Sequence, residues 1–115
     1  MPDSVLIVED DALLRIHAAL ALRSSGYDVV EMEDGDAALA YLEAHAGGVS
    51  AVFTDVQFAG KLDGFGLARA VASTWPTVRV VVTSGQLGRP LNLPASVRFM
   101  PKPWRRRDVL AALAA

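Results

Sequence analysis

The chain contains no cysteine, which excludes a disulfide framework and any thiolate metal site and suits a reducing compartment. No charge of either sign dominates. The formal net charge is −2, so there is no global attraction to nucleic acid or to an anionic membrane, and no basic helix that would suit DNA. No apolar run is long enough to span a bilayer, and the opening "MPDSVLIVED" lacks the basic start of a signal peptide. A cytoplasmic location is therefore the default expectation. Internal repeats, low-complexity tracts and linkers are also missing, so residues 1–115 read as one domain.

What is present is a hydrophobic share of 52%, enough for a globular core, arranged in two alternating kinds of segment. Short runs rich in Val, Ile and Phe read as strands: Ser4–Val8, Tyr27–Met32, Ser50–Thr54, Val78–Thr83 and Val97–Met100. Longer stretches between them have helical spacing. The first places Leu13, Ile16 and Leu20 on one face, with Leu14, Ala18 and Leu22 beside it, and stops at Gly26. The second opens at Asp34 and ends at Gly47-Gly48, carrying Ala38, Leu39 and Leu42. A third runs from about Gly64 to Thr74 with Phe65, Ala68 and Val71 on one side, and the last begins near Trp104. Strands one, three and four are almost continuously apolar, as in a parallel sheet covered on both faces. The class is α/β, an open doubly wound sheet. In the stretch "SGQLGRPLNLPAS", Gly85, Gly88, Pro90 and Pro94 predict a shortened or irregular fourth helix.

In such sheets ligands bind at the carboxyl ends of the strands. The first strand is followed by Glu9, Asp10 and Asp11, and the third ends at Asp55. The fourth runs into Thr83-Ser84-Gly85, and the fifth leads to Lys102. Oxygen-rich carboxylates suit a hard divalent cation, magnesium above all. A lysine and a hydroxyl beside them suit an arriving anion such as a phosphoryl group. Each piece has an ordinary alternative. Asp10 or Asp11 can cap a helix, Asp55 and Ser84-Gly85 can be turn residues, and Lys102 can be a surface lysine. Their joint placement at four strand ends favours the functional reading.

Four segments, "VLIVEDD", "VFTDVQFAGKLDG", "VVVTSG" and "FMPKPW", in this order and spacing, resemble the receiver domain of bacterial two-component response regulators over essentially the whole chain. The resemblance implies a flavodoxin-like fold with five parallel strands in the order 2-1-3-4-5. It implies that Asp55 is the phosphoacceptor and that Glu9, Asp10, Asp55 and the backbone carbonyl of Gln57 hold Mg2+. Ser84 then takes the place of the switch hydroxyl and Gly85 supplies a nearby amide. Lys102 pairs with a phosphoryl oxygen, Phe99 is the aromatic switch residue, and the Lys102–Pro103 bond is of the kind often cis in the family. Gln57 and Gln86 occupy positions that tune phosphoryl lifetime. The implied partners are a histidine kinase or phosphotransfer protein and an unknown downstream protein, with no nucleic acid and no membrane. The chain is expected to act as a single-domain receiver, not as a turnover enzyme.

Some features depart from the family pattern. Phe58-Ala59 replaces the usual Met-Pro, the loop through "GKLDG" is one residue longer than the commonest form, and Phe99 lacks the usual tyrosine hydroxyl. Two other functions share parts of this pattern. A pseudo-receiver, which binds partners without phosphorylation, predicts an incomplete acidic set or a missing lysine. A magnesium-dependent phosphohydrolase wants a second acid two residues after its nucleophile, where this chain has Gln57. His17, His45 and the run Arg105-Arg106-Arg107 read as surface or packing residues, and Trp104 beside the arginines suits a protein contact.

Overall fold

The computed structural model describes residues 4–56, 63–85 and 93–114. Five strands, β1 (Ser4–Val8), β2 (Asp28–Met32), β3 (Val49–Asp55), β4 (Arg79–Ser84) and β5 (Arg98–Pro101), form one sheet in the order β2-β1-β3-β4-β5. Every pairing is parallel. Four α-helices occur among the described residues: α1 (Ala12–Arg23), α2 (Gly35–His45), α3 (Gly64–Thr74) and α4 (Arg106–Ala114). Among those residues, no helix is long and apolar enough to cross a membrane.

The central strands are buried along nearly their whole length, whereas edge strand β2 is mostly half-buried and edge strand β5 is exposed at both ends. Residues of alternate parity serve opposite faces. Leu6, Val8, Val52, Val80 and Val82 pack with Leu42, Leu67 and Val71 from α2 and α3. Val5, Ile7, Phe53 and Val81 pack with Ala18, Leu22 and Val109 from α1 and α4.

Side chains set most boundaries. Asp11, Asp34 and Asp63 cap α1, α2 and α3 by accepting from backbone amides of the first turn. Gly26 follows α1 with φ 97°, a left-handed conformation open to glycine, and lets the chain turn into β2. Strands β4 and β5 each begin one residue later than the apolar runs predict. The Val78 and Val97 amides instead close turns onto the carbonyls of Trp75 and Pro94. The last helix likewise starts at Arg106, because Asp108 accepts from the Arg105 amide at 2.9 Å and caps it there. In the connection from β4 to β5, residues 93–97 form no regular element, and the rest of the predicted irregular segment lies outside the described residues.

Of the two stripes that the spacing of α1 offers, the one carrying Leu13, Ile16 and Leu20 is not the packed face. They stand 80%, 46% and 61% exposed, while Ala18, Ala19 and Leu22 are buried. The inward stripe is Arg15, Ala18, Ala19 and Leu22, also at helical spacing. Arg15 fixes that rotation by donating to the Glu9 carbonyl at 2.9 Å and pairing with Glu31 at 3.4 Å.

Candidate functional site

The parallel register brings the ends of β1, β3 and β4, and the residues after β5, to one rim. Asp55 lies in register with Thr83, and Ser84 with Pro101. The Lys102 amide donates to the Ser84 carbonyl at 2.8 Å, which carries the lysine to the same level, and the Lys102–Pro103 bond is cis. Lys102 Nζ then sits 3.1 Å from Asp55 Oδ1 and 3.9 Å from Glu9 Oε1.

Asp55 is held by its backbone. Thr54 Oγ1 donates to the Asp55 carbonyl at 2.8 Å, and the Val56 amide donates to the Thr83 carbonyl at 3.1 Å. Gly64, the first residue of α3, comes so close that a Cβ there would lie 2.0 Å from the Asp55 carbonyl oxygen. Any side chain at residue 64 would push the helix off the strand end.

Glu9 continues the line of β1, its amide donating to the Met32 carbonyl at 3.0 Å. Its side chain is buried and its carboxyl is pushed from 4.5 up to about 7. Burial is the main cause, reinforced by the negative Asp55 and a hydrogen bond with Asp10. The Asp11 amide, which donates to Glu9 Oε2 at 3.2 Å, and the Lys102 ammonium pull the other way. Asp10 is exposed next to it, and Asp11 turns away as the α1 cap.

Glu9, Asp55, Gly85 and Lys102 line a single cavity of about 480 Å³. Ser84 is buried at the end of β4. Phe99 is half-buried and packs against the α2–α3 core rather than lining this cavity. Gln57 and Gln86 lie outside the described residues, as do Phe58 and Ala59. Among the described residues, no three histidine, aspartate or glutamate side chains stand close enough to form a ready-made metal cage.

The cavity also contains residues that the sequence did not single out for it. Leu14, His17, Ala18, Phe53, Thr83 and Trp104 form much of its remaining wall. Trp104 meets Phe53 edge-on at 5.4 Å between ring centroids, and His17 lies 6.3 Å from Trp104. Thr83 and Ser84 are adjacent hydroxyls, and the register with β3 is what distinguishes the one level with Asp55.

Residues 5–114 match the family model of the response regulator receiver domain. The chain is 36% identical over 110 residues to the sensor kinase CckA of Brucella abortus (strain 2308), an alignment covering 92% of this chain and 12% of that protein. It spans between a tenth and just over half of the length of the curated relatives it matches. Among solved structures, the receiver domain from hybrid histidine kinase CckA superposes with a TM-score of 0.81 at 32% identity, covering 96% of this chain and 95% of that one. The CheX-CheY-BeF3-Mg+2 complex from Borrelia burgdorferi gives a TM-score of 0.83 at 24% identity, covering 98% and 87%. That likeness bears on the fold alone. Family model, identity and strand order agree, and the chain belongs to the response regulator receiver domain family.

Proposed function

We propose that this receiver accepts a phosphoryl group on Asp55 and passes the signal on by docking to a protein partner in its charged state. The observation that carries the reading is the Asp55 carboxylate 3.1 Å from Lys102 Nζ, with Glu9 in the same cavity. An Asp55 oxygen attacks phosphorus, a new O–P bond forms, and the bond to the donor breaks with its electron pair leaving on the donor. Phosphoryl transfer is mostly positioning and charge neutralisation, and Lys102 supplies one positive charge where the phosphoryl oxygens arrive. The Ser84 hydroxyl and the Gly85 amide are the further groups assigned to those oxygens, and Phe99 the residue that repacks when Ser84 moves.

The donor set at the rim is all oxygen, which fits a hard divalent cation. Glu9, Asp10, Asp55 and the Gln57 carbonyl are the residues proposed to hold Mg2+, with water completing the set. When bound, the cation neutralises charge on the carboxylates and the incoming phosphoryl group. Glu9 gives up its proton in that state, since a carboxylate beside a cation is stabilised as the anion.

A histidine kinase or phosphotransfer protein is the proposed donor. Leu13, Leu14, Ile16 and Leu20 give α1 an exposed apolar side next to the rim, where such a protein can bury surface while reaching Asp55. The chain turns over no external substrate in this scheme.

Intact-protein mass after incubation with Mg2+ and acetyl phosphate tests the reading. The native chain is expected to gain one phosphoryl group only when Mg2+ is present, and Asp55→Asn to gain none. A native chain that stays unmodified while folded, or a mutant that is modified equally, sinks it.

A further inference from the structure

The phosphoacceptor reading uses only the rim of the Asp55 cavity. Its remaining walls are mostly apolar, with Leu14 and Ala18 from α1, Phe53 from β3 and Trp104 between β5 and α4, and His17 of α1 beside them. The volume of this open cavity, about 480 Å³, falls in the range of small-molecule sites and exceeds what a phosphoryl group alone fills.

We propose that this cavity receives the leaving group of a small phosphodonor and selects donors whose leaving group carries an apolar ring, aryl-bearing acyl phosphates being the class it fits. The inference rests on Asp55 being the phosphoacceptor. In the step, an Asp55 oxygen bonds to phosphorus as the bond from phosphorus to the acyl oxygen breaks. That oxygen keeps the electron pair and departs as an arene carboxylate, so no proton, oxidant or reductant is needed. The ring exchanges water for Leu14, Phe53 and Trp104. A donor with only a methyl group, such as acetyl phosphate, covers little of that wall.

Benzoyl phosphate and acetyl phosphate form the test pair, with second-order rates of adduct formation read by intact mass in the presence of Mg2+. The native chain is expected to favour benzoyl phosphate by about tenfold, the scale for removing one ring from water. Trp104→Ala and Leu14→Asn are each expected to cut that ratio at least severalfold. Because both donors meet the same protein, the change in ratio between variants cancels their intrinsic reactivities. Leu14 is half-exposed, so its substitution keeps the test alive if loss of Trp104 unfolds the domain. Benzoate alone should perturb Trp104 fluorescence in a Trp75→Phe background, since the chain has two tryptophans. Equal rates for both donors, or a ratio unmoved in folded variants, overturn the donor class and leave Asp55 as acceptor. An adduct from neither donor overturns both readings.

Discussion

The two faces of the sheet are built differently. On the α2–α3 face, Leu42, Leu67 and Val71 are fully buried against Leu6, Val52, Val80 and Val82, and the helices keep little large apolar surface in water. On the α1–α4 face, α1 approaches the sheet through the small residues Ala18 and Ala19 and leaves a cavity between itself, Phe53 and Trp104. The large exposed hydrophobic residues found among the described residues, Leu13, Leu14, Ile16 and Leu20, all belong to that helix. Leucine and isoleucine therefore do opposite jobs on the two sides. On one they close a core, and on the other they are held outward by an arginine that has taken the inward position. Close packing gives stability, and an open apolar side gives a place to meet something.

The largest test of this contrast is Leu67→Ala. Truncating a fully buried leucine on the closed face is expected to cost about 2–5 kcal/mol in urea unfolding. A loss below about 1 kcal/mol would mean that this face is as loosely packed as the other. Next comes pH. The Glu9 carboxyl rises from 4.5 to about 7 on folding, so the native chain holds a proton that the unfolded chain releases. Without metal, stability present below pH 4.5 should fall as pH rises through about 7, by on the order of 2 kcal/mol. Glu9→Gln should flatten that dependence, and an unchanged pH profile would move the strain away from the rim. The smallest expected effect is the sharpest. Leu13→Gln and Leu20→Gln should shift stability by no more than about 0.5 kcal/mol, yet slow phosphoryl transfer from a donor protein while leaving transfer from acetyl phosphate unaffected. If both donors slow together, the α1 stripe has no docking role.

Much of this is legible in the sequence itself. The alternation of apolar runs with helical spacing gave the α/β class. The glycine after α1, the aspartate at the start of α2 and the span Gly64–Thr74 marked elements that the fold reproduces. Glu9, Asp55, Gly85 and Lys102 were legible as strand-end residues because a parallel sheet sends all its carboxyl ends to one side, and they do share one cavity. The rotation of α1 was not legible. Two stripes of that helix have equal helical spacing, and the choice depends on Arg15 finding Glu31 and the Glu9 carbonyl, contacts made only once β1 and β2 are paired. The alignment of Thr83 with Asp55 was hidden for the same reason, since register between β3 and β4 is a property of two strands and not of either. Trp104 suits a protein contact by its place beside three arginines, and the sequence holds no sign that its ring also packs edge-on against Phe53.

The backbone around Asp55 carries a further consequence. The Val56 amide is bonded to the Thr83 carbonyl, the Gly64 amide to the Val56 carbonyl at 2.8 Å, and Gly64 itself rests on the Asp55 peptide with no room for a side chain. Those two N–H groups both follow Asp55, the proposed acceptor, in chain order and are locked into backbone partners. In deuterated solvent they become slow clocks that tick only when β3 parts from β4 or α3 lifts from the strand end. Their exchange rates before and after charging Asp55 would measure whether added charge tightens or loosens the sheet at the point where it arrives.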